Sequence, residues 1–258
     1  MEISQIKRII KISTKTGKIM LQNGAETYRV EDTVKRMAES KGLNDVNVFV
    51  IPTGIMVSAD HDNDTITILE RVYPEGIDLE SIARANDFSR QFTQDSYTLD
   101  DAEAMIEVLS NPPKFSKLIR ILASGMGGGF FVLLFGGTNL EFILSYFASS
   151  LTVYFTDALD SKHLNFFIRN IIGGFLSMLF SVLFVMVVRA FHMDAAVNMV
   201  IVGPLMTLVP GVSLTNGIRD LISGELLAGS AKIMEALFIA IALAFGVGMV
   251  LQFSLKLL

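Results

Sequence analysis

Five long apolar segments fill the second half of this 258-residue chain, near 118–136, 140–159, 166–188, 195–214 and 231–255. Each is close to the roughly 20 residues that a helix needs to cross the hydrocarbon of a bilayer. In lipid every backbone N–H and C=O must find its partner inside the protein, so segments of this kind fold as helices. The second half is therefore expected to be an α-helical membrane protein of five transmembrane helices. The charges divide the same way. Residues 1–120 carry 15 of the 21 Lys+Arg and 19 of the 26 Asp+Glu, which leaves 6 and 7 for the remainder. The expectation is a soluble domain over 1–115 followed by a membrane domain over 116–258. An overall apolar content of 51% averages two regimes and hides both.

The fourth apolar segment is broken. Pro204 and Pro210 interrupt it, Gly211 follows directly, and a polar cluster comes next: Ser213, Thr215, Asn216, Arg219, Asp220 and Glu225. Proline removes a backbone donor and clashes with the preceding turn. The freed carbonyls then need a partner from protein, side chain or water. A broken helix beside ionisable groups points to a transport site. A kinked helix leading into an ordinary polar loop fits the same residues. Arg219 and Asp220 are adjacent and so point about 100° apart on a helix. Each is expected to seek its own partner: an anionic group for Arg219, a donor or cation for Asp220. Asp157, near the end of the second segment with Thr152 and Thr156 on the same helix, is a candidate for proton coupling. A carboxylate in a dry site can have its pKa raised toward neutrality. The other reading of Asp157 is a simple helix-end marker.

Glycines in the membrane half read as packing positions, because small residues let helices approach closely. Gly125 and Gly129, Ala244 and Gly248, and Gly173-Gly174 are the candidates. The run SGMGGGFF at 124–131 lacks the following Lys-Ser/Thr and the preceding strand of a phosphate loop.

In the first half, Ile3, Ile6, Ile9, Ile10, Ile12, Ile19, Met20 and Leu21 recur at helical spacing. Lys7, Arg8, Lys11, Lys15 and Lys18 take much of the remaining surface, which reads as a solvated face on a core-packing helix, with a membrane-surface helix as the alternative. Asn23-Gly24 ends this helix, and a second runs to Gly42. Strands follow at 46–52, 54–60 and 64–72, β-branched and partly alternating. The DHDND stretch at 60–64 lacks the Gly and terminal Glu of a calcium loop and reads as a hairpin turn. Asp78 opens a third helix, Thr98 caps a fourth with Asp101 at the capping-box position, and Asn111-Pro112-Pro113 stops it. The expected domain is α/β, with two helices, about three largely antiparallel strands and two more helices.

Several classes are excluded or disfavoured. No basic block supports nucleic-acid binding. Cysteine is absent, so disulfides and Cys-based metal sites are impossible. The charged amphipathic N-terminus lacks the apolar core and cleavage site of a signal peptide. With residues 1–115 placed in the cytoplasm, Lys114, Lys117, Arg120, Lys162, Arg169, Arg219 and Lys232 fall inside, and Arg189 and Lys256 outside. That distribution gives a multi-pass membrane protein with a cytoplasmic N-terminus, an external C-terminus and an odd number of spans.

Two motifs carry a resemblance. LQNGAETYRVEDTV (21–34) resembles the signature opening of the threonine/serine exporter family's first domain. VPGVSLTNGIRDLISGELLAG (209–229) resembles its membrane motif. Family members have a cytoplasmic first domain and about ten spans, on one chain or split between two subunits, including a pair similar to a bacterial succinate exporter. Five spans resemble the split first-half type, which implies a separately encoded membrane partner and an oligomer. The family motif falls on Gly24, Glu26, Thr27 and Arg29, and on Pro210, Gly211, Asn216, Arg219 and Asp220. The resemblance implies a secondary exporter of small carboxylate-bearing metabolites, of the threonine/serine type or, alternatively, a dicarboxylate such as succinate. Arg219 would pair the carboxylate, Asn216 would orient the substrate, Pro210-Gly211 would open the helix, and Asp157 or Asp220 would couple protons. With no nucleotide-binding motif, a gradient would drive transport, and no cofactor or metal is expected. A regulatory or assembly subunit is another class. A membrane-embedded hydrolase is disfavoured: the surroundings of Asp157 and Asp220 do not resemble aspartyl-protease motifs, and a cation beside one acid would spoil proton sharing.

Overall fold

The computed structural model describes residues 2–61, 64–113, 115–160 and 165–254. Residues 62 and 63 of the acidic turn, and Lys114, Lys162 and Lys256 of the charge distribution, lie outside these. The chain divides into two compact units, Met1–Pro113 with Gly211–Met234, and Lys114–Pro210 with Glu235–Leu258.

In the first unit, helix α1 (Ile3–Gln22) is the core element, with Ile6, Ile10, Ile12 and Met20 almost wholly buried. Its interior hydroxyls are kept satisfied. Ser13, Thr14 and Thr16 each donate to the carbonyl four residues back, at 3.0, 2.7 and 2.9 Å. Helix α2 (Thr27–Ser40) crosses it closely. A Cβ at Gly17 would lie 2.5 Å from Val34, so α1 needs a bare backbone there. Strands β1 (Asn44–Ile51), β2 (Gly54–His61) and β3 (Asp64–Arg71) form an antiparallel sheet in the order β1-β2-β3. The pairings Val50↔Ile55, Val57↔Ile68 and Ala59↔Ile66 set the register. Alternation follows from the pleat. Val50, Ile55, Val57 and Ala59 point into the core with the α1 residues, while Phe49, Met56 and Leu69 are exposed on the other face.

Helix α3 (Leu79–Thr93) is capped by Asp78, which accepts from the N–H groups of Glu80 and Ser81. Helix α4 (Leu99–Leu109) is capped by Thr98, which accepts from Asp101. Both caps stand where the sequence places them.

The second unit is helical: α5 (Lys117–Leu134), α6 (Asn139–Asp160), α7 (Phe166–Ala190) and the short α8 (Val197–Val200) and α9 (Val202–Met206). Helix α10 (Gly211–Ile222) belongs to the first unit. Helix α11 (Leu226–Ser254) is divided, its residues 226–234 in the first unit and 235–254 in the second. Among the described residues, four helices are long and apolar enough to cross a membrane: α5, residues 139–159 of α6, α7 and α11. Segments 197–206 and 211–222 together make a fifth, broken candidate. The fourth segment is thus not a single helix over 195–214. Pro204 sits inside α9, Pro210 precedes α10, and the helix resumes only at Gly211. Helix α11 also starts five residues before the expected 231, at Leu226.

Close approaches in the second unit run through glycine. A Cβ at Gly125 would fall 2.2 Å from Ser150 Oγ, one at Gly128 2.0 Å from Ser149 Oγ, and one at Gly203 2.6 Å from the Gly128 carbonyl. A Cβ at Gly246 would meet the Ile171 carbonyl at 2.0 Å, and Gly174 lies against Leu243. The expectation for Ala244 and Gly248 fails. Both are exposed and a Cβ at Gly248 would meet nothing, because the face of α11 that packs is the one carrying Gly246.

Candidate functional site

The residues of the two sequence motifs, far apart in the chain, meet within the first unit. Helix α1 ends where the Asn23 side chain donates to the Ile19 carbonyl at 2.7 Å. Gly24 then turns at φ +91°, a left-handed conformation that L side chains rarely adopt. The turn leaves the carbonyls of Gly24 and Ala25 pointing away from α1. Both are taken from elsewhere in the chain: the Asn216 amide donates to Gly24 at 2.8 Å, and the Lys232 ammonium to Ala25 at 3.1 Å.

Glu26 is the N-cap residue of α2, yet its side chain makes no capping bond to that helix. Its carboxylate is spent on two guanidiniums instead. Arg219 Nη1 donates to Oε1 at 2.8 Å and Arg29 Nη1 to Oε2 at 3.1 Å. The carboxylate is 5% exposed, whereas Arg219 is 58% exposed, so the pair is buried on one side only. Burial alone would raise the Glu26 pKa. Its own backbone N–H and the cations of Arg219 and Arg29 outweigh that and hold it below the ordinary carboxylate range.

The capping role left by Glu26 falls to Asp220. Its Oδ1 accepts from the Thr27 N–H at 3.0 Å, at the positive end of α2, where an anion is stabilised. Its Oδ2 accepts from Lys232 Nζ at 2.8 Å, in a pair 0% and 12% exposed. A buried carboxylate is tolerated only when both oxygens are satisfied in this way. The Thr27 hydroxyl beside it is buried without a partner.

Helix α10 and the first turns of α11 make this possible as a tight hairpin. Gly224 turns at φ +94°, and a Cβ at Gly229 would lie 2.6 Å from the Gly217 carbonyl. Lys232 was absent from the sequence-derived site. The Gly217–Gly229 spacing, which brings α11 back along α10, is the signal that could have found it. Arg219 and Asp220 do take separate partners. Glu31, on α2, donates nothing but accepts the Val50 N–H at 2.8 Å. Burial, with the negative charges of Glu225 and Asp220, holds its pKa above the ordinary range.

The remaining sequence-derived residues make none of these bonds. Pro210 and Gly211 mark the start of α10, where the Gly211 carbonyl accepts from Thr215 Oγ1 at 2.9 Å. Asp157 belongs to the second unit. There its Oδ1 accepts from Arg120 at 2.8 Å, a partner the sequence reading did not assign. Its Oδ2 is buried without a hydrogen bond, as are Ser124 Oγ, Ser149 Oγ and Thr152 Oγ1 on the same two helices, α5 and α6.

Residues 11–254 match the family described as "Putative threonine/serine exporter" (ThrE). The chain is 24% identical over 247 residues to the "Probable threonine/serine exporter" of Mycobacterium tuberculosis, covering 93% of this chain and 45% of that protein. It is 21% identical over 258 residues to the "Threonine/serine exporter" of Corynebacterium glutamicum, covering 97% and 52%. It is 21% identical over 251 residues to the "Probable succinate transporter subunit YjjP" of Escherichia coli, covering 97% and 96%. The chain thus spans about half the length of the first two relatives and nearly all of the third. No solved structure matches it.

Proposed function

The chain belongs to the threonine/serine exporter family, and from that premise we propose that it is a subunit of a secondary exporter of small carboxylate-bearing metabolites, serine and threonine first. The observation that carries this reading is the Glu26–Arg219 pair at 2.8 Å. A guanidinium binds any carboxylate through the same donors. Glu26 occupies the place that a substrate carboxylate would take, and the exposed side of Arg219 gives that substrate its approach. Asn216 orients the bound molecule, and the Asp220–Lys232 pair holds α10 and α11 in register beneath it. Pro210-Gly211 free the backbone at the start of α10. Asp157, paired to Arg120, couples the movement to protons.

In this reading residues 1–115 are cytoplasmic, the protein sits in the inner membrane, and its C-terminus is external. A separately encoded second-half membrane subunit completes the transporter. The name of the relative that this chain covers over 96% of its length, a transporter subunit, supports that partnership. The same coverage favours a second substrate reading, a dicarboxylate such as succinate.

Counterflow of labelled serine, threonine and succinate in proteoliposomes, with and without the partner, tests the proposal. Arg219→Ala should abolish exchange while the protein still inserts and assembles. Undiminished exchange in that variant would remove Arg219 from the site.

A further inference from the structure

A second charged surface lies beside the first, on the outer sides of α2 and α3. It is a cleft of about 270 Å³ lined by Arg29, Asp32, Thr33, Arg36, Asn86 and Arg90, among others. Three guanidiniums face one carboxylate. Asp32 is taken by Arg36, whose Nε donates to it at 2.8 Å. Arg29 has spent one Nη on Glu26. Arg90, in the last turn of α3, forms no ion pair among the described residues. A cation near a helix C-terminus is well placed without being neutralised. The Thr33 hydroxyl and the Asn86 amide add uncharged donors to the same walls. The volume suits a metabolite and is small for a larger ligand.

We propose that this cleft binds a small anion of at least two charges, a dicarboxylate or a phosphate oxyanion, and that the bound anion acts on the Glu26–Arg219 pair through Arg29. Arg29 is the one side chain that both lines the cleft and holds Glu26. An anion that recruits Arg29 leaves Glu26 to Arg219 alone. The carboxylate then turns fully onto the guanidinium that the substrate needs, and export slows. Binding stands on the cleft by itself, while this consequence for export rests on the exporter reading. Because coupling is reciprocal, whatever loosens Glu26 from Arg29 must tighten the anion.

Titration calorimetry on the detergent-solubilised full chain tests this without any transport. Succinate and inorganic phosphate are the probes, with serine, which has no net charge, as the comparison. At least one dianion should bind, and serine should not compete for the cleft. Arg90→Ala should weaken dianion binding by about tenfold or more, with an unchanged circular dichroism spectrum. Arg36→Gln, on the other wall, should do the same. Glu26→Gln should tighten it severalfold, because Arg29 is released. Wild-type protein that binds neither dianion at about 10 mM would overturn the site, as would Arg90→Ala and Arg36→Gln variants that both bind like wild type. Unchanged affinity in Glu26→Gln would overturn the link through Arg29. Failure of dianion binding would leave the counterflow result intact, so the two readings fall separately.

Discussion

The first unit closes almost all of its buried polarity, whereas the second leaves one stretch of it open. At Asp220 the charges that meet are paired: both carboxylate oxygens, the Lys232 ammonium, and the Glu26 carboxylate between two arginines. Even the hydroxyls inside α1 bond to their own helix. Thr27 Oγ1 is the exception. On α5 and α6, Ser145, Ser150 and Thr156 also find carbonyls, but one carboxylate oxygen and three hydroxyls are buried and unpartnered. An unmade hydrogen bond costs about 1–3 kcal/mol per buried group, and such groups are few in native folds. A closed network fixes a shape. An open one leaves donors and acceptors for water or a passing solute.

That contrast can be broken first where it is strongest. Asp220→Asn keeps an acceptor for the Thr27 N–H but leaves the Lys232 ammonium without its anion. Breaking a buried pair from one side costs about 3–5 kcal/mol. Thermal unfolding in detergent should show a fall of that order, and an unaltered melting temperature would mean that the pair holds nothing together.

The second region should respond the other way. Thr152→Val replaces an unpartnered hydroxyl with a methyl group of similar shape, so stability should hold or rise, while efflux falls. Asp157→Asn should flatten the dependence of efflux on the proton gradient. Normal efflux in Thr152→Val, or an unchanged gradient dependence in Asp157→Asn, would reduce the seam to packing.

The smallest effect separates two carboxylates within the first unit. The depressed pKa of Glu26 means stability that is present at neutral pH and lost as pH falls through that pKa. The raised pKa of Glu31 means the reverse: its contribution is present in acid and lost as pH rises past its own value. Glu31→Gln keeps an oxygen for the Val50 N–H and removes the buried charge. It should stabilise the protein at pH 7 by about 0.5–1 kcal/mol, with the gain vanishing in acid. A loss of stability at neutral pH would show that the charge is needed.

Much of this architecture is legible along the chain because it is local. The α1 face repeats every three or four residues, the strands alternate, and Asp78 and Thr98 announce their helices by side-chain chemistry alone. The long apolar helices α5 to α7 are equally plain. What the chain order hides is non-local. Lys232 looks like a charge beside a span, yet it closes a contact with Asp220, twelve positions earlier, and with Ala25. Glu26 stands at the N-cap of α2, and its side chain is instead an anion for Arg219. In the second-unit part of α11 the close-packing glycine is Gly246 rather than Gly248, because helix rotation depends on the neighbour and not on the spacing of small residues. The broken fourth segment is foreseen from Pro204 and Pro210. The assembly of Asn216, Arg219 and Asp220 onto the Gly24–Thr27 turn is not.

In the exporter reading, Glu26 holds the guanidinium that a substrate carboxylate would otherwise take. The most direct measurement is the concentration dependence of export in Glu26→Gln, a near-isosteric change that removes only the competing charge. Export should persist, with its half-saturating concentration lowered severalfold. A half-saturating concentration equal to that of the wild type, or export lost as fully as in Arg219→Ala, would contradict it.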